Sequence, residues 1–391
     1  NNYLLPSFVG DMGKKINKVI GHQLFFAKPK IWFELLSNNK IDKRYWHKSF
    51  LISLITILII PLQWIQSILY KRKVSRINLN ESPPIFILGH WRSGTTHLHY
   101  ILHQDPQFGT LSNYQAFLFN VALLSRTWLK WILAPLVPPT RPQDNTEFNL
   151  SKPAEEEQPF STMSTRTGMH TWHFPQKGSY FRKYNLFKGI SISEKKAWQR
   201  AYTKCLQNIS YYNDKKRLVL KNPHNTGRVK ELLELFPNAK FIFIHRDPYQ
   251  VFLSTRHLYN AMVSSQFLQE VSPAETDDMI IDNYKKIVGK YLKERHLIPE
   301  GNLIELSYHD LLNNPHFEVE RIYKTLNLPN YDKAKPEIDS YLNSTIKYET
   351  NDYSRMDEKL KAKLAKELYF EELIELQTNS STLKDKNLNQ A

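Results

Sequence analysis

Residues 83–102 read PPIFILGHWRSGTTHLHYIL. The run Ile85–Leu88 is apolar without interruption, as expected of a strand buried on both faces, and the residues from about Thr95 to His103 suit a helix. Between them lies a turn with the spacing Gly89-x-x-x-x-Gly94. A strand, a glycine-bracketed turn and a helix start bring backbone N–H groups together, and such a cradle binds anionic oxygens. A nucleoside-triphosphatase loop would continue from its second glycine with Lys, which reaches the terminal phosphates, and then Ser or Thr, which holds magnesium. Here Thr95 and Thr96 occupy those positions, and the cation, Arg92, lies inside the loop. The sequence predicts a phosphate cradle without the apparatus of a kinase or ATPase.

Further along, Leu218–Leu220, Lys240–Ile244 and Leu303–Leu306 read as strands, and 226–236 reads as a helix with Asn225 or Thr226 at its cap. Strand alternating with helix predicts an α/β fold, a central parallel β-sheet flanked by helices. Ligands of such sheets bind beyond the carboxyl ends of the strands. Lys221 falls there, just past one strand, and Arg246 just past another, in FIFIHRDPYQVFLST. Ser254 follows on the next helix, and a guanidinium fork with a hydroxyl beside it suits a phosphate. His224, in the turn after Lys221, is placed to hydrogen-bond donor or acceptor, whereas Arg256 and His257 suit a solvated helix face.

The loop Arg92-Ser93-Gly94-Thr95-Thr96 resembles the donor-binding loop of the sulfotransferase family, whose members use 3′-phosphoadenosine 5′-phosphosulfate (PAPS). The strand ending in Arg246, with Ser254 eight residues on, is similar to the family element that holds the 3′-phosphate. The resemblance runs from about Ser82 to Leu328 and is nearest to the branch with many bacterial and membrane-associated members. It implies a P-loop-like sulfotransferase fold and adenosine 3′,5′-bisphosphate as the product. It also implies a donor site made by Arg92, Ser93, Gly94, Thr95, Thr96, Lys221, Arg246 and Ser254, in which Arg92 and the loop amides stabilise charge on the departing phosphate.

Sulfuryl transfer to a hydroxyl needs a base to remove its proton. The string Glu155-Glu156-Glu157-Gln158-Pro159-Phe160 resembles the EE-x-Q-x-F string around the glutamate base of the heparan N-sulfotransferases, and adjacent carboxylates raise one another's pKa. Glu156 is the foremost candidate and Glu157 the next. Glu155 and the histidines of GMHTWHF, His170 and His173, are rivals. His97, His99 and His103 do not share a helix face and form no cluster.

The whole chain has 391 residues and 53 Lys+Arg against 38 Asp+Glu, a net +15, which invites nucleic acid, anionic lipid or a phosphorylated small molecule. The donor motifs favour the last and set nucleic acid aside. Apolar residues at 41% and charged residues at 23% exclude a disordered or fibrous chain. With Cys205 alone and no HExxH, neither a disulfide nor a metal site is expected.

Residues 50–70 (FLISLITILIIPLQWIQSILY) carry no charge, while Lys43, Arg44 and Lys48 precede them and Lys71, Arg72, Lys73 and Arg76 follow. The length allows a spanning helix; Pro61, Gln63 and Gln66 favour one lying in the interface, or a buried hairpin. No signal peptide is recognisable. The expected organisation is an N-terminal helical, membrane-associated region over 1–80 and a sulfotransferase domain over 81–376. Within it, 117–175 forms an acceptor-binding or lid insertion, a charged helix spans 356–377, and a disordered tail follows over 377–391. Trp128, Trp131, the apolar 128–137 stretch, Trp172 and Phe174 favour an apolar acceptor such as a sterol or lipid alcohol, with a sugar or tyrosine hydroxyl as the alternative. The expected location is cytoplasmic at a membrane, or the Golgi lumen in a eukaryote.

Overall fold

The computed structural model describes residues 22–126, 128–133, 149–345, 358–368 and 373. At its centre is a parallel sheet of five strands, β1 (Ile85–Leu88), β2 (Phe108–Gly109), β3 (Arg217–Lys221), β4 (Lys240–His245) and β5 (Leu303–Ser307), in the order β2-β3-β1-β4-β5. All four of the longer strands match expected ones. The two-residue β2 has no periodicity to read and is visible only through its pairing with Arg217 and Leu218.

Side chains on a strand alternate between faces, and both faces here are apolar. Phe86, Leu88, Leu218, Leu220, Phe241 and Phe243 share a core with the helices Ile192–Tyr212 and Pro273–Glu294, where Tyr291 stacks on Phe243 at 3.8 Å. Ile85, Ile87, Val219, Ile242, Ile244 and Leu306 face the other way, onto the helices Thr95–Leu102, Pro315–Thr325 and Tyr331–Thr345. Both long helices of the first face begin in capping boxes, Ser191 with Glu194 and Ser272 with Glu275, which satisfy the free N–H groups of their first turns.

β1 is central, and the chain leaves it toward β2 and β3 before crossing to β4 and β5. This is the reversal at which a crevice opens beyond the strand ends. The turns after β1, β3 and β4 therefore meet at one edge.

The helix expected over 226–236 spans Val229–Leu235, because Pro223–Gly227 first forms a 3₁₀ turn and Arg228, not Asn225 or Thr226, stands at the cap. Of the charged C-terminal helix, Glu358–Leu368 is described, while the 377–391 tail and residues 1–21 lie outside the described residues. The apolar 50–70 run is divided between two helices, Trp46–Leu58 and Ile60–Ser75. The segment before them docks on the main body, with Leu24, Phe25 and Trp32 packed against Phe174, Phe181 and Leu268.

Candidate active site

The cradle expected after β1 is held open from below. The Gly89 N–H donates to the Thr226 hydroxyl at 2.8 Å, and that hydroxyl donates back to the Gly89 carbonyl at 3.0 Å, tying the turn after β3 to the turn after β1. A Cβ on Gly89 would approach the Ile244 carbonyl to 2.5 Å. Gly94 caps the Thr95–Leu102 helix in the left-handed region, φ 99°, and a Cβ there would run into the Tyr308 ring. Arg92 also has positive φ, 70°, an unfavourable conformation for a residue with a side chain and one that concentrates at functional loops. The Ser93 hydroxyl closes the turn onto the His90 carbonyl at 2.8 Å.

Two cationic groups flank this loop. In the first, Arg92 Nε donates to Ser254 Oγ at 2.8 Å, and Arg246 lies over the Tyr308 ring, 4.8 Å from its centroid, with Nη1 3.5 Å from the Arg92 carbonyl. In the second, Lys221 at the end of β3 donates to the Thr96 hydroxyl at 3.2 Å and pairs with the Glu155 carboxylate at 2.5 Å. Arg92 was expected at the departing phosphate. Its side chain reaches Ser254, whose hydroxyl offers a buried acceptor, and Lys221 stands beside Thr96. Cations at both ends of an amide-lined turn fit a donor with phosphate at its 3′ and 5′ positions.

The acidic triplet is split by the start of the Glu157–Met163 helix, around which successive residues point in different directions. Glu155, before it, faces Lys221. Glu156 is fully buried and accepts from the Tyr202 hydroxyl at 2.9 Å and Asn225 Nδ2 at 2.7 Å. Its Oε2 has no partner among the described residues, and burial raises its pKa to about 7. Glu157, also fully buried, is gripped by both Arg228 terminal nitrogens at 2.7 Å, by Asn222 at 2.7 Å and by the Thr167 hydroxyl. Burial alone would raise its pKa, but the charge of Arg228, the nearby His224 and the hydrogen bonds from Arg228 and Thr167 together outweigh that and hold the carboxyl well below its ordinary value.

The histidine candidates also turn inward. His170 and His173 are fully buried, with their Nδ1 atoms 3.0 Å apart, and His170 Nε2 lies 3.1 Å from the Ser164 carbonyl. Burial lowers His170 to about 4 and also holds His173 well below its ordinary value. Their rings pack on His22 and Phe181, in the layer that docks the N-terminal segment.

Trp172, between them in sequence, instead faces the donor loop. Its ring lies 6.3 Å from Trp91, in a cluster with Met169, Leu258, Val263, Phe267 and Ile287. His224 meets the Trp91 ring edge-on at 4.7 Å and bonds Asn185 Oδ1 at 2.8 Å. One wall of the cluster is the π-turn Tyr259–Val263, a distortion common at functional sites. Trp128 and Trp131, expected in the acceptor pocket, are not in this cluster but are 52% and 80% exposed, and Phe174 belongs to the docking layer. Residues 134–137 lie outside the described residues. Sequence reasoning missed Tyr308 and the Arg228 partnership; the Thr226 clasp was misread as a cap. Each depends on a contact between distant segments and leaves no local pattern. Among the described residues no group of His, Cys, Asp and Glu could hold a metal ion.

Comparison with known proteins agrees with the fold and with the family resemblance. The Sulfotransferase family profile matches residues 83–333. The omega-hydroxy-beta-dihydromenaquinone-9 sulfotransferases Stf3 of Mycobacterium bovis and Mycobacterium tuberculosis are each 32% identical over 324 residues, 82% of this chain and 83% of theirs. Crystal structures of sulfotransferases STF1 from M. tuberculosis and STF9 from M. avium share the fold, with TM-scores of 0.58 and 0.59 at 18% identity. The alignments cover 91% and 87% of this chain and 98% and 95% of those structures. The chain belongs to the sulfotransferase family, enzymes that transfer a sulfuryl group from PAPS to an acceptor.

Proposed function

We propose that this sulfotransferase modifies the hydroxyl of an apolar, lipid-like alcohol at a membrane surface, with Glu155 as the general base. The observation that carries the assignment is the Lys221–Glu155 pair beside Thr96, which sets a cation and a carboxylate together at the mouth of the donor cradle. Arg246, Ser254 and Arg92 hold the 3′-phosphate end, and the amides of Gly94–Thr96 hold the 5′ end. Glu155 takes the acceptor proton as the acceptor oxygen bonds to sulfur. The bond from sulfur to the bridging phosphate oxygen breaks, and Lys221 stabilises the negative charge left on that oxygen. Glu156 and Glu157 serve as the buried footing that fixes the backbone of Glu155.

The apolar acceptor is supported by the cluster of Trp91, Met169 and Trp172 beside the loop and by similarity to sulfotransferases named for a menaquinone derivative. In this reading the region over 1–80 faces the membrane, the 117–175 insertion carries the base, and the enzyme works on the cytoplasmic side, where PAPS is made. Incubation with ³⁵S-labelled PAPS and a panel of long-chain primary alcohols, sterols, sugars and tyrosine peptides tests it. Label should appear on the isoprenoid or long-chain alcohols; label confined to sugars or tyrosine would refute the acceptor class.

A further inference from the structure

The uncharged 50–70 run is a bent pair of helices with two unlike faces. Lys43–Leu58 and Ile60–Val74 meet at 46°, and no single helix among the described residues is long and apolar enough to cross a membrane. One face is fastened to the protein through the polar residues that interrupt the run. Gln66, buried, donates to the Phe119 carbonyl at 3.2 Å and accepts the N–H groups of Leu123 and Leu124 at 2.8 and 3.2 Å. Gln63 donates to the Ala27 carbonyl at 3.2 Å, and Lys48 to the Ser265 carbonyl at 2.7 Å.

The opposite face is bare. Phe50 and Trp64 are each 70% exposed and Ile68 80%, with Ile57, Leu58 and Leu69 also more than half exposed. The chain that Gln66 grips at Leu123 and Leu124 runs on into the helix Trp128–Leu133, which adds exposed Trp128, Trp131 and Ile132. Single exposed apolar residues are ordinary; grouped ones mark a partner.

Charge selects the partner. Residues 43–76 contain no Asp or Glu, and the exposed Lys43, Arg44, Lys71, Arg72, Lys73 and Arg76 stand at the two ends of the pair. A symmetric dimer through this face would bring the same cations together, whereas an anionic leaflet complements them and accepts tryptophan at its interface. We infer that this face docks on one leaflet of a membrane with anionic headgroups, through the two helices and Trp128–Ile132, without crossing it. Tyr45, at the head of the first helix, packs against the cluster of Trp91 and Trp172, so the docked surface begins beside the apolar cluster on which the proposed acceptor class rests. The inference rests on the membrane half of the proposed function and on no step of its chemistry.

Co-sedimentation with phosphatidylcholine vesicles, with and without phosphatidylglycerol, tests it in the absence of donor and acceptor, so its outcome is separable from that of the transfer reaction. Binding should be strong to the mixed vesicles and weak to the neutral ones. The K71A/R72A/K73A variant should lose on the order of a hundredfold in partition onto mixed vesicles, at about fivefold per cation. Trp64→Glu with Ile68→Glu should lose binding to both while keeping adenosine 3′,5′-bisphosphate affinity. Absence of vesicle binding, binding indifferent to the Trp64 and Ile68 changes, or a dimer in analytical ultracentrifugation that those changes abolish would overturn the inference.

Discussion

Three consecutive glutamates illustrate how identical side chains acquire different roles. Glu155 meets Lys221 at the donor edge, Glu156 is buried among neutral donors, and Glu157 is locked to Arg228. Glu157→Gln leaves the buried Arg228 charge without its partner and should destabilise the fold by roughly 3–5 kcal/mol in chemical unfolding. Glu156 makes a pH-dependent contribution of the opposite kind to an ordinary carboxylate. Its folded pKa, about 7, lies above the 4.5 of the unfolded chain, so the folded state holds the proton more tightly. The associated stability is complete below pH 4.5 and lost as pH rises to about 7. The stability of the wild type relative to E156Q should fall across that window and level off above it; a flat difference would show that Glu156 titrates normally. The sequence marked the triplet as acidic and as the place of candidate bases but carried no sign of where each carboxylate points, because what turns Glu157 inward is an arginine 71 residues away.

At the scale of the element, the strand–turn–helix of 85–102 was legible because local preferences agree there at all but Arg92: an apolar strand, positive φ at Gly89 and Gly94, and a helix beginning at Thr95. The rest of the cradle was not, since Thr226 and Tyr308 reach it from other segments. Their contacts make a specific expectation. Gly94→Ala would force a side chain into the Tyr308 ring and strain a left-handed turn, and should abolish adenosine 3′,5′-bisphosphate binding in calorimetry. Arg92→Ala, which leaves the backbone intact, should weaken that binding by roughly 10- to 100-fold, as loss of a charge-assisted phosphate contact does. Undiminished binding by the Arg92 variant would remove it from the donor site.

At the scale of the whole molecule, the net +15 includes Arg92, Lys221 and Arg246 at the edge beyond the strands and the cations that flank the bent helix pair. Length and hydropathy alone left the 50–70 run open between span, surface helix and hairpin. Gln63 and Gln66 have their partners on the protein itself, and the proposed docking on one leaflet rests on those contacts. The sheet was readable from its four long strands, while the docking of residues 22–38 onto Phe174 and Phe181 rests on packing that no periodicity encodes. The proposed transfer reaction, in which Glu155 removes the acceptor proton beside Lys221, would unite the parts. Single-turnover transfer of labelled sulfate from PAPS to a long-chain alcohol, measured for the wild type and E155Q alongside bisphosphate calorimetry, tests this most directly. The account predicts that E155Q loses on the order of 10²- to 10⁴-fold in rate with bisphosphate affinity retained; E155Q transferring at the wild-type rate would contradict it.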